Sequence, residues 1–245
     1  MSKPHLSPAL WMWRVPPLGD SALPVCLPTL STAEQALYHT IKSPRRQREY
    51  LAGHYLLRRV LDHVLPEWHE QHHFDLNDDN WLTLIGPQAA RLDFNLSHSG
   101  EWVACAVGLD CQLGVDIESP RRRRSYRALA AEYFAESESR QLAGLPEEQC
   151  RQRFYELWTL KESYLKARKL GISAKELGTG FVPVADPTVA WCCYPFQWPD
   201  GQGQRVFGAL TVSEPLALTL EIQQFSMDKV EPLLVLAREP LTPDR

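Results

Sequence analysis

No stretch of this 245-residue chain approaches the apolar length, about 20 residues, that spans a bilayer. The first residues lack a basic segment followed by an apolar core of about 7–15 residues. The sequence therefore reads as soluble and cytoplasmic, with no membrane contact. Cysteine is sparse: six are scattered, two of them adjacent, with no Cys-x-x-Cys and no Cys/His ligand spacing. That excludes a zinc ribbon or a disulfide framework and reads as reduced thiols. Neither sign of charge dominates, the formal net charge being −4, so no global field recruits nucleic acid. The length fits one large domain or two of ordinary size, and either buries a real core.

What the chain does have is acid and base concentrated in short runs. In GVDIE (114–118) apolar and polar residues alternate, so an extended strand projects Asp116 and Glu118 from one face and Val115 and Ile117 from the other. Two carboxylates on one face can share a hard cation such as Mg²⁺, which takes oxygen ligands and keeps waters and phosphates in its shell. An edge strand with its acids in solvent has the same pattern.

From Phe154 to Lys169 there is no Pro or Gly, and apolar residues at 154, 157, 158 and 165 keep helical spacing. This predicts a helix with one buried face, closing at Gly171. Steps of three and four from Trp158 reach Lys161, Glu162, Leu165, Lys166 and Lys169, placing amines and an acid on one stripe. Glu162 and Lys166 also have the spacing of a surface ion pair, worth about 0.2–0.5 kcal/mol.

In RLDFNLSHSGEWVACAV (91–107) the apolar residues suggest a strand, a turn at Ser99 and Gly100, and a second strand. Ser97 and His98 fall just before the turn, where a hydroxyl and an imidazole can donate to a phosphate. His98 could equally serve the hairpin itself.

FNLSHSG, then GVDIE, then FYELWTLKES, in that order, resembles the Sfp-type 4′-phosphopantetheinyl transferases in all three family motifs. YFAESE (133–138) is similar to the family segment between the last two motifs, and SPRRQREYLAGHYLLRR (43–59) to its amino-terminal basic helix. Stretches 1–30 and 175–245 carry much less of the likeness.

The resemblance implies magnesium-dependent transfer of the phosphopantetheine arm of coenzyme A to a serine of an acyl or peptidyl carrier protein, releasing adenosine 3′,5′-bisphosphate. Asp116, Glu118 and Glu162 would hold Mg²⁺, for which Mn²⁺ could substitute. Asp116, Lys161 and Lys166 would bind coenzyme A near its pyrophosphate. Ser97 and His98 would meet the 3′-phosphate with the arginines near 45–48, Arg46 and Arg48 among them. Glu162 and Lys166 would be the catalytic pair, Glu162 as general base with Glu138 as the alternative. Two departures stand out. A Gly-Lys-Pro-like element common in relatives is here IGPQAARL without the Lys, leaving Arg91 as a substitute, and His54 follows Gly53 where an Arg is common.

The implied fold is α+β, a pseudo-dimer of two similar α/β halves, 1–112 and 113–245, with the active site at their interface, in a protein that is a monomer. The sequence supports this weakly, through a helix near 46–65 followed by strands to about 107, and a helix near 151–170 followed by strand-like runs at 205–212 and 216–225. The Pro-rich ends, 1–28 and 239–245, read as coil or wrapping extensions. Arg121 to Arg124, with Arg127, form a basic cluster that fits either a solvated face or the steering of an acidic carrier protein and coenzyme A. Two other classes stay open: a metal-dependent phosphohydrolase, and a non-catalytic anion-binding module.

Overall fold

The computed structural model describes residues 8–16, 24–67, 73–77, 82–86, 89–120, 123–171, 173–184, 189–200, 202–213, 220–227, 229–233, 235–237 and 239–244. In chain order, β1 (Ala9–Arg14) precedes a short 3-10 helix (Pro24–Thr29), α1 (Thr32–Thr40) and α2 (Pro44–Val64). A small hairpin, β2 (His73–Leu76) and β3 (Leu82–Ile85), leads to β4 (Leu92–Ser99), β5 (Trp102–Leu109) and β6 (Leu113–Glu118). Next come α3 (Tyr126–Tyr133), α4 (Glu136–Ala143), α5 (Glu147–Ala167) and α6 (Ala174–Leu177). The chain finishes with β7 (Phe181–Pro183), β8 (Cys192–Pro199), β9 (Arg205–Val212), β10 (Ile222–Phe225), β11 (Val230–Pro232), β12 (Leu236–Ala237) and β13 (Leu241–Pro243). The fold is mixed α+β, with six α-helices among the described residues.

Two sheets carry the architecture. One runs β11-β10-β1-β5-β4, and the other runs β6-β9-β8-β13-β7 with β12 also on β8. Strand periodicity explains how they stack. In β1 and β5, Trp11, Trp13, Val103, Cys105 and Val107 join one apolar cluster with Leu51, Leu56, Leu57 and Val60 of α2. The alternate residues Leu10, Met12, Trp102, Ala104 and Ala106 meet Val115, Ile117, Phe196, Trp198 and Leu210 of the second sheet. On the far side of that sheet, Phe207 and Ala209 pack on Phe154, Leu157 and Leu160 of α5. The order of layers is thus α2, first sheet, second sheet, α5.

The layers correct one expectation from the sequence. Residues 9–14, read as coil within the Pro-rich end, form the middle strand of the first sheet. ALWMWR shows no alternation because the strand is buried on both faces, so its apolar run is continuous. In the same way, residues 241–243 at the other end pair with β7 and β8.

The two long helices start and stop for local reasons. Ser43 caps α2 by accepting from the Arg46 amide, and Pro44 takes the first-turn position where its missing N–H costs nothing. The helix expected to close at Gly171 ends earlier, at Ala167. Lys169 adopts the left-handed conformation, φ 56°, usual for a glycine just past a helix end, and its Nζ reaches Asp93 Oδ1 at 2.7 Å. Tertiary pairing across to β4 accompanies this unusual C-terminal residue.

Candidate active site at the seam between the sheets

β4 and β6 are the edges of their respective sheets, and they lie side by side. What joins them is a row of side chains. Leu113 N–H donates to Asp93 Oδ2 at 2.8 Å, Val115 N–H to Asn95 Oδ1 at 2.9 Å, Ile117 N–H to Ser97 Oγ at 3.3 Å, and Ser119 N–H to Ser99 Oγ at 3.0 Å. Every second residue of β4 is therefore a short polar group, and each accepts an amide of β6 that an edge strand would otherwise leave unpaired. The intervening residues Phe94 and Leu96 pack towards α2.

Across this seam lie the carboxylates. Ser97 Oγ donates to Asp116 Oδ1 at 2.9 Å, and Ser99 Oγ donates to Glu118 Oε2 at 2.9 Å. From α5, Lys166 Nζ donates to Asp116 Oδ1 at 2.7 Å, to Ser97 Oγ at 3.2 Å and to the Val115 carbonyl at 3.2 Å. The helix comes this close because Gly114 has no side chain. A Cβ there would lie 2.3 Å from both the Ser163 carbonyl and the Ala167 amide.

The electrostatics of the cluster are those of crowded acids. Burial, and then the Asp116 charge, push the Glu162 carboxyl up to about 7. The same two causes, in the same order, raise Glu118 above the usual carboxylate range. Asp116 Oδ2 is buried without a hydrogen-bond partner among the described residues. Such an atom is costly unless something outside the chain completes it. Among the described residues, no group of three or more His, Cys, Asp or Glu side chains stands close enough together to hold a metal ion by itself.

The expected site residues divide by where the structure puts them. Asp116, Glu118, Glu162, Lys166 and Ser97 converge on the seam. His98, next to Ser97 on a strand, points the other way: its Nδ1 lies 3.3 Å from Glu49 Oε2 of α2, and its side chain is 54% exposed. Glu49 in turn accepts from Arg45 Nε at 2.6 Å. Arg48 donates to the Gly100 carbonyl at 3.0 Å, at the turn where Gly100 takes φ 65°, while its buried Nε has no partner among the described residues. Arg46 is exposed on the first turn of α2. These arginines and His98 therefore flank one end of the hairpin.

Lys161 is not brought to the seam. Its side chain is 0% exposed, its Nζ lies 2.7 Å from Glu138 Oε2 of α4 and donates to the Thr179 carbonyl, and the Phe134 ring centroid is 4.9 Å away. Consecutive residues on a helix are about 100° apart, so Lys161 and Glu162 need not share a partner. Arg91, the substitute for the missing Lys, clamps Asp110 with two nitrogens, its NH2 at 2.6 Å. Arg121 and Arg122 lie outside the described residues; Arg123 and Arg124 are exposed, and Arg127 pairs with Glu147 at 2.6 Å.

Two participants were missed in the sequence. Glu49 orients His98, and Ser99 holds Glu118. The signal for Ser99 was present as the period-2 row Asp93, Asn95, Ser97, Ser99. A separate buried centre, Glu34 with His54 and Arg58, left no signal, because α1 and α2 bring its members together across 24 residues.

Comparison with known proteins identifies the family. The family model of the 4′-phosphopantetheinyl transferase superfamily matches residues 112–203, a span holding β6 and α5. The chain is 35% identical over 174 residues to the 4′-phosphopantetheinyl transferase HetI of Nostoc sp. (strain PCC 7120), covering 70% of this chain and 73% of that one. It is 33% identical over 126 residues to the 4′-phosphopantetheinyl transferase psf-1 of Bacillus pumilus, covering 51% and 52%. It is also 33% identical over 127 residues to the 4′-phosphopantetheinyl transferase AcpT of Escherichia coli (strain K12), covering 52% and 60%. With β6 and α5 inside the matched region, and a relative at this identity matched over most of its length, the chain belongs to the 4′-phosphopantetheinyl transferase superfamily and is a transferase enzyme.

Proposed function

We propose that this enzyme transfers the 4′-phosphopantetheine arm of coenzyme A to a serine of an acyl or peptidyl carrier protein. The serine oxygen forms a bond to the phosphorus of the arm, the pyrophosphate bond breaks, adenosine 3′,5′-bisphosphate leaves, and the serine proton passes to a base. The observation that carries the reading is the meeting of Asp116, Glu118, Glu162 and Lys166 at one seam, with Asp116 Oδ2 buried and unpartnered among the described residues.

A divalent cation fits that donor set, since hard cations take carboxylate oxygens and two or three suffice when phosphate completes the shell. Asp116, Glu118 and Glu162 would hold it, as Mg²⁺ or Mn²⁺, and it would neutralise charge building on the pyrophosphate. The remaining work falls to side chains. Lys166, steadied by Asp116 and the Val115 carbonyl, reaches the phosphates. Glu162, one helical turn before it, takes the serine proton. His98 with Arg45, Arg46 and Arg48 receives the adenosine 3′-phosphate, with the buried Nε of Arg48 as one donor. Ser97 orients Asp116. Lys161 keeps α4 on α5 through Glu138, leaving the phosphate contact to Lys166.

In this reading the halves 1–112 and 113–245 form a pseudo-dimer with the active site between them, the hairpin 222–232 returning to the first sheet. The protein works as a cytoplasmic monomer on an acidic carrier, without nucleic acid or membrane. Among the described residues no helix is long and apolar enough to cross a membrane. Incubating a carrier protein with coenzyme A, Mg²⁺ and the enzyme should raise the carrier's mass by one phosphopantetheine group. Release of phosphopantetheine into solution with the carrier's mass unchanged would point to a hydrolase.

A further inference from the structure

We infer that Ser99 is a positioning residue for Glu118, fixing which carboxylate oxygen is turned to the cation; the inference rests on the proposed metal role of Glu118. The geometry of one hydroxyl carries it. Ser99 Oγ accepts the Ser119 amide at 3.0 Å and donates to Glu118 Oε2 at 2.9 Å. A serine hydroxyl has one proton, so with an amide already on its lone pair, that proton is committed to Glu118 Oε2. Oε1 then remains the oxygen without a hydrogen bond among the described residues. Ser99 is buried, which shields its end of the bond from water.

The four-rung seam supplies an internal control. Asn95 accepts the Val115 amide at 2.9 Å, as Ser99 accepts that of Ser119, but among the described residues no bond links Asn95 to a carboxylate. Removing either side chain orphans a β6 amide. Only removal of Ser99 also releases a proposed metal ligand.

Mn²⁺ binding to the full chain without coenzyme A, followed by electron paramagnetic resonance, separates the two effects. Ser99→Ala should raise the Mn²⁺ Kd about tenfold, the usual result of losing a group that orients a ligand. Ser99→Thr, which keeps the hydroxyl, should stay within about threefold of the parent on that scale. Asn95→Ala should lower Tm and leave the Kd unchanged. If Ser99→Ala does not fold, Ser99→Cys, with a weak donor in its place, should show the tenfold loss. Ser99→Ala or Ser99→Cys binding Mn²⁺ like the parent would overturn the inference, as would Asn95→Ala weakening it equally. A parent chain that itself binds no Mn²⁺ would overturn it differently, by removing the metal role of Glu118.

Discussion

Glu34 and Glu162 both sit away from bulk water, yet their surroundings treat charge in opposite ways. Glu34 is 0% exposed, and desolvation alone would raise its pKa, but hydrogen bonds from His54 and Arg58 outweigh that and bring it down to about 2. His54 Nδ1 lies 2.7 Å from Oε1, Arg58 donates to Oε2, and the Ser31 amide completes the set at 2.8 Å in a capping box. Glu162 is half-buried, and burial together with Asp116 and Glu118 lifts it to about 7, with Lys166 unable to compensate. The first centre brings its own cation, Arg58, with His54 and the Ser31 amide as further hydrogen-bond partners. The second concentrates acid beyond what its lysine balances, the imbalance that the proposed cation would offset. Crowded carboxylates that lack balancing cations point to a functional site, where a satisfied buried ion pair points to a structural one.

The largest expected effect separates these centres by activity. Asp116→Ala or Glu118→Ala should lower transfer by at least about a thousandfold, since losing one carboxylate from so small a set removes the hold on the metal. Thermal melting should show the fold intact. Activity within a few fold of the parent would remove the metal assignment.

Glu34→Gln should do the reverse. Breaking a buried pair leaves Arg58 uncompensated and costs about 3 kcal/mol, while kcat of the folded enzyme changes little. The wild-type protein should show the same dependence with acid. Because the folded pKa of Glu34 lies below its ordinary 4.5, its contribution is full above pH 4.5 and is lost as pH falls towards about 2. Urea unfolding between pH 6 and pH 3 should show a steeper loss of stability in the parent than in Glu34→Gln. Parallel curves would show that Glu34 is not the group responsible.

A subtler contrast lies within the site itself, between the seam face and the His98 face of β4. His98→Ala should raise the KM for coenzyme A about tenfold and leave turnover of dephospho-coenzyme A nearly unchanged, since the imidazole serves the 3′-phosphate alone. Equal damage with both donors would make His98 structural, through Glu49. The smallest effect is expected at the rim: reversing Arg123 and Arg124 should lower kcat/KM for the carrier a few fold, and the difference should fade as salt shortens the screening length below about 8 Å. A difference that persists in high salt would exclude steering.

Sequence reading revealed α2, α5, β4 and β6 through residues that divide between polar and apolar faces, and β5, which is buried on both faces, through the turn at Ser99 and Gly100 that precedes it. It missed β1 because a strand covered on both sides has no alternation to read. The carboxylates and Lys166 were legible as residue types at strand and helix spacing. The stripe that included Lys161 was too broad, for a helix surrounded by β6, β9 and α4 sends adjacent residues to different partners. The Glu34 centre was illegible because neither α1 nor α2 contains the pair, and only their packing makes it.

The most direct test of the central contrast is divalent-metal binding measured by calorimetry on three chains: the parent, Asp116→Ala and Glu34→Gln. The account expects one Mg²⁺ or Mn²⁺ per parent chain, the same affinity in folded Glu34→Gln, and no measurable binding in Asp116→Ala. Unchanged binding in Asp116→Ala would contradict it.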